Sequence, residues 1–335
     1  MRSLVVALSL VCLISLADAQ EPKHDPADPS KHTVQFITVD KDVKLEVLDW
    51  GGTGRPMVLL TGLGNNAHVF DGLAPKLISS YHVYGITRRG YGLSSAPVPS
   101  DDNYSADRLG DDVLAVIAAL KVDRPIVVGH SIAGEELSSI GSRHPEKVAG
   151  LIYLDAAFAY AFYDPAQGNF LVDASDLKRR LDHLVSSAGP REQEAALREL
   201  RQSILPQFEK DLKTQEDDLA KLPEPPAAAS KSPEVSPIVK AILMGEQKYT
   251  SIKVPVLAIC AVPHDLGPPD KTDPVARAAA EASDLARTTR LASTFETGVP
   301  SAHVVRLAHA SHYIFNSNEA DVLREINAFT ATLPQ

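Results

Sequence analysis

The sequence predicts an α/β fold whose mostly parallel, doubly wound sheet is interrupted by an inserted helical cap, and three observations support this prediction. Short apolar runs without period-two alternation recur along the chain, as expected of strands buried on both faces of a parallel sheet. Amphipathic segments with helical periodicity separate these runs. Residues 156–250 then contain no convincing buried strand, which favours a helical insertion over the carboxyl edge of the sheet.

Residues 1–19 have the pattern of a cleavable signal peptide. Arg2 supplies a short positive region, Leu4–Leu16 are apolar, and Ala17-Asp18-Ala19 form a small-x-small cleavage site. This apolar run is shorter than the roughly 18 residues needed to span a bilayer, and no later run reaches that length. We therefore expect cleavage after Ala19, no stable membrane insertion, and a secreted or periplasmic protein.

The composition excludes some classes of partner. The chain has 335 residues and a formal net charge of -10, and no dense run of Lys and Arg is present, which argues against a nucleic-acid binder. Removal of the signal peptide would also remove Cys12 and leave Cys260 as the one thiol. An intramolecular disulfide is then impossible, so stability must come from the hydrophobic core. The sequence leaves the oligomeric state open.

The first half of the chain predicts a hairpin followed by alternating strands and helices. Residues 20–32 are charged and proline-rich, which indicates a flexible leader. Thr33–Val39 and Val43–Trp50 alternate at period two and predict two half-exposed antiparallel strands. The buried strands after them are predicted at Pro56–Thr61, His82–Thr87, Pro125–Gly129 and Val148–Asp155, with helices at Phe70–Ser79, Ser105–Leu120 and Ile132–Arg143.

The second half begins with the predicted cap and then returns to the α/β pattern. Cap helices are predicted at Asp176–Ser186, Glu192–Ser203 and Phe208–Leu222, followed by a Pro/Ala/Ser-rich loop at Pro223–Pro237. The core resumes with strands Val254–Cys260 and Ala302–Leu307 and with helices Asp273–Thr289 and Asn318–Thr332. The predicted division is therefore a core of residues 33–155 and 251–335, split by a cap of residues 156–250.

A serine lies at the sharpest predicted turn from a strand to a helix. In Gly129-His130-Ser131-Ile132-Ala133-Gly134, small residues stand two positions before and after Ser131. This spacing is typical of the strained nucleophile elbow, although Ala133 replaces the usual second glycine. A serine hydroxyl needs an adjacent base to become a nucleophile, so a histidine and an acid must follow along the chain. Ser131 is therefore the candidate nucleophile.

His312 is the favoured base, in the loop after the last strand and immediately before the last helical segment. His309 lies in the same loop and is the alternative. The acid is expected just after strand Val254–Cys260, where Asp265 is the first carboxylate. Asp155, at the end of the preceding strand, is a serious rival because an acid there could also reach the histidine.

Backbone amides are the expected donors to a developing oxyanion. The amide of Ile132 follows the nucleophile at a helix N-terminus, where donors are unpaired. A second amide is expected from Leu63, in the glycine-containing loop Thr61-Gly62-Leu63-Gly64-Asn65. That loop alone would be an ordinary turn, but its position after a buried strand agrees with the elbow.

Together these segments resemble the α/β-hydrolase fold superfamily, of the capped esterase and lipase-like type. The resemblance rests on Leu59–Gly64, Thr87–Ser94, Gly129–Gly134, Val254–Leu257 with Asp265, and Ala310–His312. It covers about residues 33–333 except the cap. The chain departs from the usual family pattern at Thr61, where the family has a histidine, and at Thr87-Arg88, where it has an aspartate before the Arg-Gly segment. The resemblance assigns that segment a structural role beside the site.

The resemblance implies a serine hydrolase that cleaves a small carboxylic ester through an acyl-enzyme on Ser131, and the signal-peptide pattern indicates that it is exported. We expect no cofactor, and no metal because the histidines lack paired ligand spacing. Carbon-carbon bond hydrolases, lactonases, amidases and perhydrolases share this triad and remain open, as does a ligand-binding protein without turnover. A serine at the elbow disfavours dehalogenases and epoxide hydrolases of this fold, which use an aspartate there. Phe158 and Phe162, at the start of the cap, either line an apolar substrate pocket or form the cap's own packing.

Overall fold

The computed structural model describes residues 31–187, 189–220, 235–268 and 274–334. The predicted signal peptide, Cys12 and all of the predicted leader except its last two residues lie outside these ranges, as does most of the predicted Pro223–Pro237 loop. Within the described ranges, no helix combines the length and apolar character needed to cross a bilayer.

Eight strands form one sheet in the order β1-β2-β4-β3-β5-β6-β7-β8. Strand β2 pairs antiparallel with β1 and β4, and every pair from β4 to β8 is parallel. The mostly parallel sheet predicted from the sequence is therefore confirmed. The strands are β1 Thr33–Asp40, β2 Val43–Gly51, β3 Arg55–Leu60, β4 Tyr81–Ile86, β5 Ile126–His130, β6 Gly150–Leu154, β7 Val256–Ala261 and β8 Ala302–Leu307.

The central strands are buried on both faces, which explains why their sequences do not alternate. Successive residues of β3 enter different apolar clusters: Val58 and Leu60 pack on one face of the sheet, and Met57 and Leu59 on the other. All residues of β5, β6 and β7 are buried. Because successive side chains of a strand point to opposite faces of the sheet, apolar residues at every position require helices that cover both faces.

The helices flank the sheet or fill the insertion between β6 and β7. They are α1 Ala74–Leu77, α2 Asp101–Tyr104, α3 Ala106–Leu120, α4 Gly134–Arg143, α5 Phe170–Ser186, α6 Pro190–Glu199, α7 Leu205–Ala220, α8 Pro237–Leu243, α9 Pro274–Gly298, α10 Ile314–Ser317 and α11 Glu319–Thr330. A π-helical turn at Leu200–Ile204 joins α6 to α7. The four helices α5 to α8 follow β6 and precede β7, while the predicted cap limits at 156 and 250 stay a prediction.

Several helix limits differ from the predicted ones for local reasons. The predicted helix at Phe70–Ser79 is replaced by a 3-10 turn at Ala67–Phe70 and the single turn α1, which has a proline in its first turn. Helix α5 begins at Phe170 because the Asn169 side chain accepts hydrogen bonds from the amides of Leu171 and Val172. Helix α8 begins at Pro237, inside the predicted loop, with Ser236 as its N-cap.

Candidate active site

Ser131 lies on a sharp turn between β5 and α4. Its φ is 55°, in the left-handed region that ordinary side chains avoid. Helix α4 starts three residues later, at Gly134, and packs so closely on the chain after β6 that a β-carbon at Gly134 would collide with the carbonyl oxygen of Ala156. A β-carbon at Gly129 would lie 2.9 Å from Leu137 Cδ1. The small residues around Ser131 are thus required by packing.

His312 joins the serine to a carboxylate. Its Nε2 lies 2.9 Å from Ser131 Oγ, and its Nδ1 lies 2.6 Å from Asp155 Oδ2. These three residues follow β5, β8 and β6, whose carboxyl ends meet at one edge of the sheet. Because Nδ1 donates its proton to Asp155, Nε2 is the free acceptor that faces the Ser131 hydroxyl. His309, the alternative base, is exposed and outside this chain of contacts.

The structure places Asp155, and not Asp265, beside His312, which corrects the predicted acid. Asp265 is exposed, and its carboxylate accepts a hydrogen bond of 2.9 Å from the Gly267 amide. Its backbone amide bonds to Ala310 O at 2.8 Å, which turns its side chain away from the site. Asp155 follows β6 directly, adopts a φ of 46° and is only 3% exposed.

The Asp155 carboxylate is held in its charged form by its hydrogen bonds. Its Oδ1 accepts from the Ala261 amide at 3.0 Å, and its Oδ2 accepts from His264 Nε2 at 2.8 Å as well as from His312. Burial by itself would raise the pKa of Asp155, but the hydrogen bonds from His264 and His312 hold the pKa well below its usual range. The sequence carries no local signal for this role of His264, because its contact with Asp155 spans 109 residues of chain.

Gly62 brings the predicted oxyanion loop against the nucleophile. A β-carbon at Gly62 would lie 3.2 Å from Ser131 Cβ and 2.8 Å from His130 Nδ1, so this position accommodates only glycine without rearrangement. Leu63, the predicted donor, is the next residue of the loop, and Ile132, the other predicted donor, is buried one residue after Ser131. The structure therefore brings both predicted donor segments to the serine.

Arg88 holds the loop that begins at Thr61 through its backbone carbonyls. Its guanidinium donates from Nη2 to Thr61 O at 2.8 Å and from Nη1 to Gly62 O at 3.3 Å, and its Nε donates to Glu136 at 2.5 Å. Burial disfavours the charged guanidinium, but the adjacent Glu136 carboxylate keeps the pKa of Arg88 above its ordinary value. In the sequence, Arg88 stands out only as a departure from the family pattern.

His130 supports the backbone of the base. Its Nε2 donates to His312 O at 3.0 Å, and its ring packs at a centroid distance of 4.7 Å against the His312 ring, tilted by 46°. Burial lowers the pKa of His130 to about 3, so the ring stays neutral at physiological pH. Its Nδ1, which faces Gly62, has no hydrogen-bond partner among the described residues.

The aromatic residues proposed for substrate binding differ in their surroundings. Phe162 is 9% exposed and packs edge-to-face on Phe295 of α9 at a centroid distance of 6.3 Å, beside Gly298. Phe162 is therefore part of the packed core. Phe158 is half-buried, and the Arg287 guanidinium lies 6.0 Å from its ring centroid. A role for Phe158 in substrate binding stays a prediction.

Two groups of possible metal ligands occur among the described residues, although the sequence spacing predicted none. One group is His32, His68 and Asp71, and the other is Asp155, His264 and His312. In the second group, both ring nitrogens of His312 and the shared Asp155 oxygen already form the hydrogen bonds described above. These atoms therefore form a hydrogen-bond chain from Ser131 to His264.

Comparison with known proteins supports the same fold. The model of the α/β hydrolase fold family matches residues 55–318. A fluoroacetate dehalogenase from Burkholderia sp is 34% identical over 34% of this chain and 38% of its own length. A pimeloyl-[acyl-carrier protein] methyl ester esterase from Aeromonas hydrophila is 33% identical over 30% of this chain and 37% of its own length. The matched part is thus less than half of either relative.

Solved structures match over nearly the whole chain. A bromoperoxidase from Bacillus anthracis gives a TM-score of 0.56 at 15% identity, covering 89% of this chain and 100% of that chain. An E-2-(acetamidomethylene)succinate hydrolase gives a TM-score of 0.54 at 20% identity, covering 90% and 100%. At such identities the likeness concerns the fold alone. The family match over more than half of the sequence, together with the sheet order and the elbow after β5, shows that this chain belongs to the α/β hydrolase fold family.

Proposed function

We propose that this hydrolase is an exported serine hydrolase that cleaves carboxylic esters through an acyl-enzyme on Ser131. The observation that supports the proposal is the continuous hydrogen-bonded chain from Ser131 Oγ through His312 to Asp155. A hydroxyl with a base at 2.9 Å, itself oriented by an ionised carboxylate, is the arrangement that activates a serine nucleophile.

In the first half-reaction, Ser131 Oγ attacks the ester carbonyl carbon while His312 Nε2 accepts the hydroxyl proton. The tetrahedral oxyanion collapses, the carbon–oxygen bond to the alcohol breaks, and the alcohol leaves with that proton. Water then attacks the acyl-enzyme and gives a proton to Nε2, which returns it to Ser131 Oγ as the carboxylic acid departs. Asp155 stabilises the His312 imidazolium that forms in each half-reaction.

The amides of Leu63 and Ile132 are the proposed donors to the oxyanion. In a trans peptide the N–H and the preceding C=O point in opposite directions. The carbonyl of Gly62 faces Arg88, so the amide of Leu63 is directed away from Arg88. Fixed peptide planes of this kind stabilise developing charge without reorganisation during the reaction.

A serine nucleophile favours substrates that react at a carbonyl carbon. One relative is named a methyl ester esterase and another a fluoroacetate dehalogenase. Displacement of a halide, or opening of an epoxide, by Ser131 would leave an alkyl ether, which has no carbonyl for water to attack. An acyl-enzyme is itself an ester and can be hydrolysed by the same machinery. This chemistry supports ester hydrolysis, and not dehalogenation, as the reaction of Ser131.

The proposal is tested with a fluorophosphonate probe and short p-nitrophenyl esters. The wild type should be labelled and should turn over the esters, whereas Ser131→Ala should lose both properties. Ser142→Ala, a serine of α4 that bonds to Ser251 O, is the matched control and should keep both. Full labelling of Ser131→Ala, or a wild type that hydrolyses none of the esters, would contradict the proposal.

The proposed export has a separate test. When the full chain is produced in a bacterium with a functional secretion system, the mature protein outside the cytoplasm should begin at Gln20. Intact-mass measurement of the extracytoplasmic protein checks this. A protein that retains residues 1–19 in the cytoplasm would contradict export without affecting the proposed chemistry.

A further inference from the structure

The loop after β7 was expected to supply the acid, Asp265. Instead, its neighbour His264 forms a hydrogen bond with the carboxylate of Asp155. We propose that His264 is a positioning residue for catalysis, which fixes the Asp155 carboxylate by donating to the same oxygen as His312 and carries a positive charge while doing so. The inference rests on the proposed hydrolase function. It assigns His264 no contact with substrate.

The geometry at Asp155 leaves little freedom to the carboxylate. His264 Nε2 and His312 Nδ1 both donate to Oδ2, at 2.8 and 2.6 Å, and the Ala261 amide donates to Oδ1 at 3.0 Å. The two imidazole rings meet at 62° with centroids 6.0 Å apart. Rotation of the carboxylate away from His312 would therefore also break the hydrogen bond to His264.

The backbone couples His264 to the loop that carries the base. His264 forms a parallel β-bridge with Ala310. On either side of it, His309 N donates to Pro263 O at 2.9 Å and Asp265 N donates to Ala310 O at 2.8 Å. The loops after β7 and β8 are thus joined beside the site, so that both histidines keep a constant position relative to Asp155.

Both ring nitrogens of His264 face carboxylates. Its Nδ1 lies 3.1 Å from Asp284 Oδ1, and its backbone amide donates to Asp284 Oδ2 at 2.8 Å. Arg287 Nη2 donates to the same Asp284 oxygen, Oδ1, at 2.6 Å and lies 3.5 Å from His264 Nδ1. Because a neutral imidazole has only one N–H, donation to both carboxylates requires the imidazolium.

The groups that face His264 are therefore two acids, Asp155 and Asp284, and two bases, His312 and Arg287. Burial alone disfavours a charge here, but the contacts with Asp155 and Asp284 raise the pKa of His264 above its ordinary value. A fixed cation beside Asp155 disfavours the uptake of a further proton at the site, so its loss should move the acidic limb of the pH profile of catalysis upward.

The test compares His264→Ala, His264→Gln and wild type in ester hydrolysis from pH 5 to pH 9. His264→Ala should lower kcat about 10- to 100-fold with little change in KM, because the acid is no longer fixed in position. Loss of the nearby charge should also move the acidic limb of the profile upward by about one pH unit. His264→Gln, which can replace the hydrogen bond but not the charge, should recover part of kcat and keep the shifted limb.

His303→Ala is the matched control, since His303 is an exposed histidine on β8. It should leave kcat and the pH profile unchanged. If His264→Ala does not fold, Asp284→Asn leaves both hydrogen bonds to Asp155 in place and should still lower kcat, by a smaller factor. A folded His264→Ala with the kcat and acidic limb of the wild type would overturn the inference, whereas a wild type without esterase activity would contradict the proposed function instead.

Discussion

The carboxylate of Asp155 receives three hydrogen bonds in a region with almost no access to solvent. Each donor stabilises the charged form, so the carboxylate stays ionised where burial alone would favour protonation. An ionised acid at 2.6 Å from His312 Nδ1 fixes the tautomer in which Nε2 accepts the Ser131 proton. Asp265 is exposed, and among the described residues its side chain accepts one hydrogen bond, from the Gly267 amide of its own turn.

The first prediction separates these two acids. Asp155→Asn should lower kcat/KM about 10³- to 10⁴-fold, because an amide no longer stabilises the imidazolium or fixes its tautomer. Asp265→Asn should change kcat/KM less than twofold. Steady-state hydrolysis of a short p-nitrophenyl ester measures both variants. A larger loss in Asp265→Asn than in Asp155→Asn would restore Asp265 as the acid.

Cys260 is also buried, but unlike Asp155 it stays uncharged. It is a free thiol on β7 and is 6% exposed. Burial raises the pKa of the Cys260 thiol far above its ordinary value, so it stays a thiol rather than a nucleophilic thiolate. The residue fills space in the sheet core.

At the scale of elements, the approach of α4 to the chain after β6 shapes the elbow. Gly134 begins α4 and touches the backbone at Ala156, whereas Gly110 of α3 faces the Ser139 side chain of α4. At Gly134 there is no room for a β-carbon without a shift of backbone. The elbow at Ser131 is therefore fixed on its helix side by the contact of Gly134 with Ala156.

The second prediction follows from that contact. Gly134→Ala would place a methyl group on Ala156 O, so the helix must move and the elbow with it. We expect a loss of about 1–3 kcal/mol in the free energy of unfolding and a fall in kcat. Gly72→Ala, where a β-carbon meets no atom within 4 Å, is the matched control. Denaturant unfolding and ester hydrolysis measure both; wild-type values for Gly134→Ala would show that α4 adjusts freely.

At the scale of the whole molecule, acidic side chains are buried between the core and the insertion. Neither carboxylate oxygen of Glu135, on α4, has a hydrogen-bond partner among the described residues. Burial raises its pKa well above the ordinary value. Glu246 follows α8 and is 2% exposed, and its charge raises the pKa of Glu135 further. Burial raises the pKa of Glu246 itself to about 8, although the charge of Arg179 opposes this shift.

The third prediction concerns pH. Between the ordinary pKa of 4.5 and about 8, the folded state keeps a proton on Glu246 that the unfolded state has released. Stability therefore decreases as pH rises through this window. Glu246→Gln should remove this part of the loss, so its Tm should exceed that of the wild type by several degrees at pH 8 and by little at pH 5.

Thermal unfolding at a series of pH values between 5 and 8.5 measures this difference. Glu209→Gln, at an exposed position of α7, serves as the control for the loss of one negative charge. A Tm difference for Glu246→Gln that is the same at pH 5 and pH 8 would show that Glu246 does not release its proton in this window.

Local patterns in the sequence predicted the eight strands and most of the longer helices, and they indicated Ser131 and His312 as candidate site residues. Each central strand is a continuous apolar run because both faces of the sheet are covered, and Ser131 is recognisable because the turn on which it lies needs small neighbours within five residues. His312 follows from its position after the last strand. These signals are short in sequence and can be recognised without knowledge of distant contacts.

Only the tertiary structure decided which acid serves His312 and what surrounds it. Asp155 and the loop with His264 and Asp265 follow adjacent parallel strands, so both loops reach the same edge of the sheet, and the sequence does not show which side chain turns inward. The β-bridge at Ala310 turns Asp265 outward and His264 inward. Arg88 likewise reaches Thr61 and Gly62 only because β3 and β4 are neighbours. Such contacts depend on strand order and loop direction, which no local pattern encodes.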